Sequence, residues 1–149
     1  MDIGTEPRYP ASALSNFTPH LFDIDGVRCN SMEGFLQSLK FSSIDMQVYI
    51  CSLVGRAAKF KGKKKKWWKT QTLYWQGKEY KRDSEEYQQL LDRAFDALAL
   101  NIGFQNALLR TGDATLTHSI GKNDITKTVL TSQEFLSRLN RIRTDLRTL

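Results

Sequence analysis

The sequence predicts an α+β fold, mainly helical, folded as one compact domain over residues 1–149 with a few short strands. Three observations predict it. Apolar residues recur at three- and four-residue spacing in several stretches, the mark of helices with one buried face. Strand-like runs are few and short, and each sits beside turn residues. The chain has 149 residues, 40% hydrophobic and 11% aromatic, enough for one core and too few for two.

The elements follow in order. Residues 1–13 are polar, with Pro7 and Pro10, and read as a lead-in. Leu21 to Cys29 reads as a hairpin, because Asp25-Gly26 supplies the positive φ angles of a tight turn. A helix follows, with Asn30 as its cap and Glu33 in capping-box position; Met32, Phe35, Leu36 and Leu39 form its apolar face. A second helix is expected from Asp45 to Phe60, interrupted by Gly55. Residues 61–82, rich in lysine and aromatics, read as a long loop with one short strand at Thr72–Trp75. Asp83 should cap a helix with Tyr87, Leu90, Leu91, Ala94, Phe95 and Leu98 on its buried stripe, ended by Gly103. A short helix from Phe104 to Leu109 leads into a turn at Arg110–Asp113, then a strand over Ala114–Ile120 and a polar loop to Asp124. Thr131 and Glu134 form a capping box for a last helix with Phe135, Leu136, Leu139, Ile142 and Leu146 inward.

Composition removes several classes. No apolar run approaches the roughly 18 residues that cross a bilayer, and the first residues lack the basic start and apolar stretch of a signal peptide. A cytoplasmic protein without a membrane partner is the expectation. Two cysteines, Cys29 and Cys51, make no disulfide framework, and with two histidines they match no zinc spacing. The net charge of +6 is local: seven lysines fall between Lys59 and Lys69, and the other 15 cations face 16 acids. Such a strip suits a local anionic contact. Lys63, Lys64, Lys65 and Lys66 could neutralise phosphates while Trp67 or Trp68 stacks on a base of DNA or RNA. A solvated loop with one Trp in the core fits the same residues.

The first helix is the most informative element for chemistry. Glu33, Gln37 and Lys40 fall within roughly 60° of one another on its surface, away from most of the apolar stripe. An acid beside an amine can share a proton, which serves acid–base work or a lysine that attacks a carbonyl. A plain exposed face would look the same. Thr111-Gly112 could turn backbone N–H groups toward an anion, and Arg56 beside Gly55 suits a pyrophosphate; an ordinary turn and a surface arginine are the alternatives. His118 and Asp124 are polar residues near a strand end and in the following loop.

In order and spacing these pieces resemble the NADAR family, the YbiA-like proteins linked to NAD and ADP-ribose chemistry. The resemblance runs from about Ala13 to Leu136. It rests on Leu14-Ser15-Asn16-Phe17, Phe22 to Val27, Asn30-Ser31-Met32-Glu33 with Gln37 and Lys40-Phe41, Gly55-Arg56, Phe104 to Gly112, Leu116 with His118, and Asp124. Gly34 stands where the family often has a histidine, and Ile125-Thr126 where it has Trp-Gly. Tyr74 to Ser84 looks like a subgroup insertion in which Trp75 supplies a substitute aromatic.

The resemblance implies N-glycosidase chemistry on an ADP-ribosylated or ribosylated nucleotide, with no cofactor and no catalytic metal. Members are associated with removing ADP-ribose from guanine in DNA. It implies catalytic roles for Glu33, Lys40 and Asp124. Asn16, Phe17, Gln37, Arg56, Trp75, Thr111, Gly112 and His118 would bind substrate. A module that binds ADP-ribose, NAD derivatives or a signalling nucleotide without cleaving it is the alternative, and a nucleic-acid accessory protein using the lysine strip is the second.

Overall fold

A computed structural model describes all residues, Met1–Leu149. The fold is α+β and mainly helical, as the sequence predicts. Two antiparallel hairpins, β1 (Phe22–Ile24) with β2 (Val27–Cys29) and β3 (Thr72–Trp75) with β4 (Lys78–Lys81), are separate two-stranded sheets. Six helices surround them: α1 (Met32–Ser38), α2 (Ile44–Cys51), α3 (Gly55–Lys63), α4 (Glu85–Leu98), α5 (Ile102–Arg110) and α6 (Ser132–Arg147). No helix is long and apolar enough to cross a membrane.

One core joins these parts. The α4 stripe of Tyr87, Leu90, Leu91, Ala94, Phe95 and Leu98 is buried throughout, against Phe135, Leu139 and Ile142 of α6. Burial of each large apolar side chain contributes roughly 1.5–3 kcal/mol. At the other end, Phe35 of α1 meets Phe22 and Trp75 edge-on, with ring centroids 6.3 and 4.9 Å away. α1 is thereby fixed on its apolar side, and its Glu33 row faces away from the core. The first hairpin turns as expected, with Asp25 and Gly26 at φ 51° and 79°. Thr131 and Glu134 form the α6 capping box.

Several expectations are corrected. Ser31, not Asn30, caps α1, its hydroxyl accepting from the Gly34 N–H; the Asn30 amide donates to the Ser52 carbonyl instead. The expected helix from Asp45 to Phe60 is two helices. Ser43 caps α2, the helix ends at Cys51, and Gly55 enters α3 at φ 53°. Residues 61–82 are no long loop: the end of α3, a 3-10 turn at Trp67–Lys69, and the β3–β4 hairpin occupy them. Ser84, not Asp83, caps α4, and Gly103 lies inside α5, which Asn101 caps. Ala114–Ile120 forms no strand, only a single parallel bridge between Thr117 and Asp2. The lead-in is folded, with Ile3 fully buried.

Candidate active site

α1 exists because Ser31 caps it and because Met32, Phe35, Leu36 and Leu39 bury one face. Two glycines let its neighbours come close. A Cβ at Gly34 would stand 2.8 Å from the Leu53 carbonyl oxygen and 2.9 Å from that of Ile50. A Cβ at Gly62 of α3 would overlap the Gln37 amide. The 50–53 backbone therefore meets α1 directly, and the α3 backbone meets the Gln37 side chain. Position 34 faces α2, away from Glu33, so a histidine there would meet backbone.

The opposite face of α1 opens into a cavity of about 340 Å³, within the range of small-molecule sites. Glu33, Leu36, Gln37 and Lys40 form one wall. Ser15, Asn16 and Phe17 form the second, tied to α1 where the Glu33 N–H donates to the Asn16 carbonyl at 3.0 Å. Trp67 is buried beneath. Residues 118, 120–122 and 127–130 close the far side.

The electrostatics are lopsided. Four ammonium groups line the cavity, Lys40, Lys59, Lys122 and Lys127, against one carboxylate, Glu33. Burial pushes the Glu33 carboxyl above the usual carboxylate range, only partly offset by the Gln37 amide, Lys59 and Lys40. Burial also pushes the Lys40 amine below its ordinary value, with Glu33 acting against this and Lys59 and Lys122 adding to it. The two groups are thus drawn toward their neutral forms, the condition for passing a proton or for an amine that attacks. No ion pair joins them. The Gln37 Nε2 donates to Glu33 Oε1 at 2.9 Å, and Lys40 Nζ reaches the Gly62 carbonyl at 3.5 Å. The Gln37 Oε1 is buried without a partner.

Of the residues singled out in sequence, the cavity gathers Asn16, Phe17, Glu33, Gln37, Lys40, Trp67 and His118. The others lie outside its lining. Arg56 is exposed on the first turn of α3. Trp75 is core, packed on Phe35 with its indole N–H donating to Asp25 Oδ2 at 2.8 Å, and supplies no aromatic wall. Thr111 and Gly112 end α5. The Thr111 hydroxyl donates to the Leu108 carbonyl and accepts from Arg143, and Gly112 takes the positive φ of a helix terminus. Asp124 is exposed and accepts from the Thr126 N–H and hydroxyl, with Lys127 Nζ at 4.0 Å. Lys63, Lys64, Lys65 and Lys66 are exposed, and Trp68 is half-exposed. Lys64 and Lys65 lie over the rings of Phe60 and Phe41.

Sequence reasoning missed Lys122 and Lys127, which no local pattern marks. It also missed Arg82, which is 1% exposed. Its guanidinium donates to both Glu134 oxygens, at 2.6 and 3.1 Å, and to the Thr128 carbonyl at 2.8 Å. It so pins the 128–130 wall to α6.

Comparison with known proteins bears on these features. Residues 8–144 match the family model described as bacteriophage protein GP30.3. A 17.1 kDa protein from the Gp30–rIII intergenic region of Enterobacteria phage T4 is 36% identical over 152 residues, covering 98% of each chain. The NMR structure of the E. coli protein YbiA matches with a TM-score of 0.62, over 93% of this chain and 80% of that one. At 17% identity that likeness is one of fold.

Proposed function

Given that the chain belongs to the bacteriophage GP30.3 family and folds like YbiA, we propose that it is an N-glycosidase-type hydrolase. It cleaves a ribosyl C–N bond in an ADP-ribosylated base or related nucleotide. The observation that carries this reading is the Glu33–Lys40 pair: an acid and an amine, each drawn toward neutrality, in one cavity rimmed by lysines. Breaking the bond sends its electron pair to the leaving nitrogen and leaves positive charge at the anomeric carbon. The Glu33 carboxylate faces that charge, or positions the water that adds to it. Lys40 exchanges the proton, or attacks the opened sugar's aldehyde and forms a Schiff base that water later releases. Lys59, Lys122 and Lys127 take the phosphate role that the sequence suggested for Arg56 and Thr111-Gly112. Gln37, expected to bind substrate, holds Glu33 instead. Phe17 offers a face to the base.

The test is turnover of a DNA oligonucleotide carrying ADP-ribose on guanine, with NAD as a small-nucleotide probe. Glu33→Gln and Lys40→Ala should each lose at least 100-fold in kcat while keeping a wild-type circular-dichroism spectrum. Full activity in either variant overturns the assignment. One observation favours a second reading. Asp124 lies outside the lining, so the cavity holds a single carboxylate where glycosidases commonly use two. That suits a module that binds ADP-ribose without cleaving it, and mass spectrometry after incubation separates the two, since a binder returns its ligand unchanged.

A further inference from the structure

The amino-terminal segment builds on the far wall of the cavity. Its backbone runs beside residues 115–119: the Ile3 N–H donates to the Thr117 carbonyl at 2.7 Å, and the Thr117 N–H donates to the Met1 carbonyl at 2.9 Å. Asp2 is the centre of this contact. Its Oδ1 accepts from the Ser119 N–H at 2.9 Å and the Thr117 hydroxyl at 2.8 Å; its Oδ2 accepts from the hydroxyls of Ser119 and Thr5. These donors, Ser119 foremost, hold the Asp2 carboxyl well below the usual carboxylate range, so it stays ionised.

Between the two clamped residues lies His118, which lines the cavity. Its Nδ1 is 2.7 Å from the Ile3 carbonyl oxygen. A carbonyl can only accept, so the proton of the neutral ring is on Nδ1. Nε2, which has no protein partner, then carries the lone pair. The ring is edge-on to Phe135, with centroids 5.0 Å apart. Gly4 and Gly121 leave it room: a Cβ would stand 3.3 Å from its Cε1 at the first and 2.5 Å from its Cδ2 at the second.

We infer that Asp2 is a positioning residue: by clamping Thr117 and Ser119 it holds His118 in the tautomer whose Nε2 exchanges the proton of the leaving base. In the imidazolium form, Nε2–H gives its proton to the departing nitrogen as that atom takes the C–N electron pair. Water then adds hydroxide to the anomeric carbon, and its remaining proton returns to Nε2. What His118 protonates rests on the glycosidase reading, in the form in which Lys40 makes the Schiff base; the tautomer does not.

The experiment compares the full chain with Asp2→Ala and with Glu6→Ala. The second variant removes only the acceptor of the Asp2 N–H, at 3.1 Å. Nitrogen-15 correlation spectra of the His118 ring should show Nδ1 protonated in wild type and Glu6→Ala, and averaged tautomers in Asp2→Ala. On the ADP-ribosylated oligonucleotide, Asp2→Ala should lower kcat roughly tenfold with KM unchanged. In a His118→Gln background it should cost nothing further, since the two act as one unit. A wild-type tautomer and wild-type kcat in Asp2→Ala overturn the inference. Should Asp2→Ala fail to fold, Thr117→Val with Ser119→Ala removes the same hydroxyl donors from the other side and gives the same reading. If wild type turns over no probe, the glycosidase reading fails, while the ring spectra still decide whether Asp2 sets the tautomer.

Discussion

Two largely buried carboxyl groups in this molecule are treated in opposite ways. Both carboxylate oxygens of Glu134 are satisfied. The Arg82 fork, the Thr131 N–H and the Gln88 amide all donate to its oxygens. Burial alone would raise its pKa, yet these donors outweigh burial and hold it below the ordinary value. Around Glu33, burial wins and its pKa rises. The Gln37 amide is its one side-chain hydrogen-bond donor, and neighbouring Lys40 is drawn toward its neutral form. The difference separates a knot that holds the fold from a pair kept in readiness for chemistry, since perturbed groups in a cleft are where function concentrates. The knot also serves the pair, because it fixes residues 128–130, which face Glu33 across the cavity.

The largest effect should come from cutting the knot. Arg82→Leu leaves Glu134 charged and largely buried, and it leaves the Thr128 carbonyl without its donor. Removing one partner of a buried pair costs about 3–5 kcal/mol, or roughly 10 °C in Tm for a chain of this size. Adding Glu134→Gln removes the stranded charge and should restore part of the loss. Denaturant unfolding of the single and double variants measures both. If Arg82→Leu is as stable as wild type, the contrast drawn between the two regions fails.

Glu33→Gln should move stability the other way, by a gain on the order of 1 kcal/mol at pH 7, because it removes a charge that burial penalises. The pH dependence gives the sign. A carboxyl whose folded pKa is raised contributes fully below its unfolded value, about 4.3, and that contribution is lost as pH rises through the folded pKa. Glu134, with a lowered folded pKa, contributes above the same unfolded value, and loses this as pH falls. Wild type and Glu33→Gln should therefore be equally stable near pH 4 and diverge toward pH 7. Against Glu134→Gln, wild type should hold an advantage at pH 7 that vanishes on acidification. Thermal melts across that range check both curves, and parallel curves for Glu33→Gln and wild type would sink the claim that Glu33 is strained.

How much of this was legible in the sequence depends on whether the cause is local. The Asp25-Gly26 hairpin, the Thr131–Glu134 capping box and the α4 stripe are local signals, and each is present in the fold. The Glu33–Gln37–Lys40 row was legible because helical spacing alone places it. The strand expected at Thr72–Trp75 is β3, but its partner β4 was missed because the hairpin turns on Gln76-Gly77, with φ 46° and 89°, where no Asn-Gly or Asp-Gly announces a turn. The strand expected at Ala114–Ile120 failed because its alternation has no partner strand, only the Asp2 end of the chain. Lys122, Lys127 and Arg82 join the site by tertiary packing with residues far away in sequence. Nothing in their neighbours could have marked them. Arg56 and Thr111-Gly112 looked like anion ligands by residue type, but exposure and helix termination explain them.

The smallest effect is expected at the exposed lysine strip, and it sharpens the comparison by adding charges outside both pairs, although Lys65 and Lys66 share an adjoining groove with Lys40 and Trp67. Lys63, Lys64, Lys65 and Lys66 make no ion pair and lie outside the lining of the Glu33 cavity. Replacing all four with Gln should change stability by no more than about 0.5 kcal/mol, the usual size of a surface change. Turnover of a small nucleotide should stay at the wild-type level, because Lys40, Lys59, Lys122 and Lys127 remain. If the strip draws in a polyanion, binding of a DNA oligonucleotide should weaken uniformly across sequences. Its dependence on log salt should also flatten, by roughly one unit of slope for each phosphate that a lysine no longer neutralises. Titrations at several salt concentrations separate the outcomes. A quadruple variant that loses small-nucleotide turnover would place the strip inside the chemistry, and an unchanged salt slope would leave it a solvated surface.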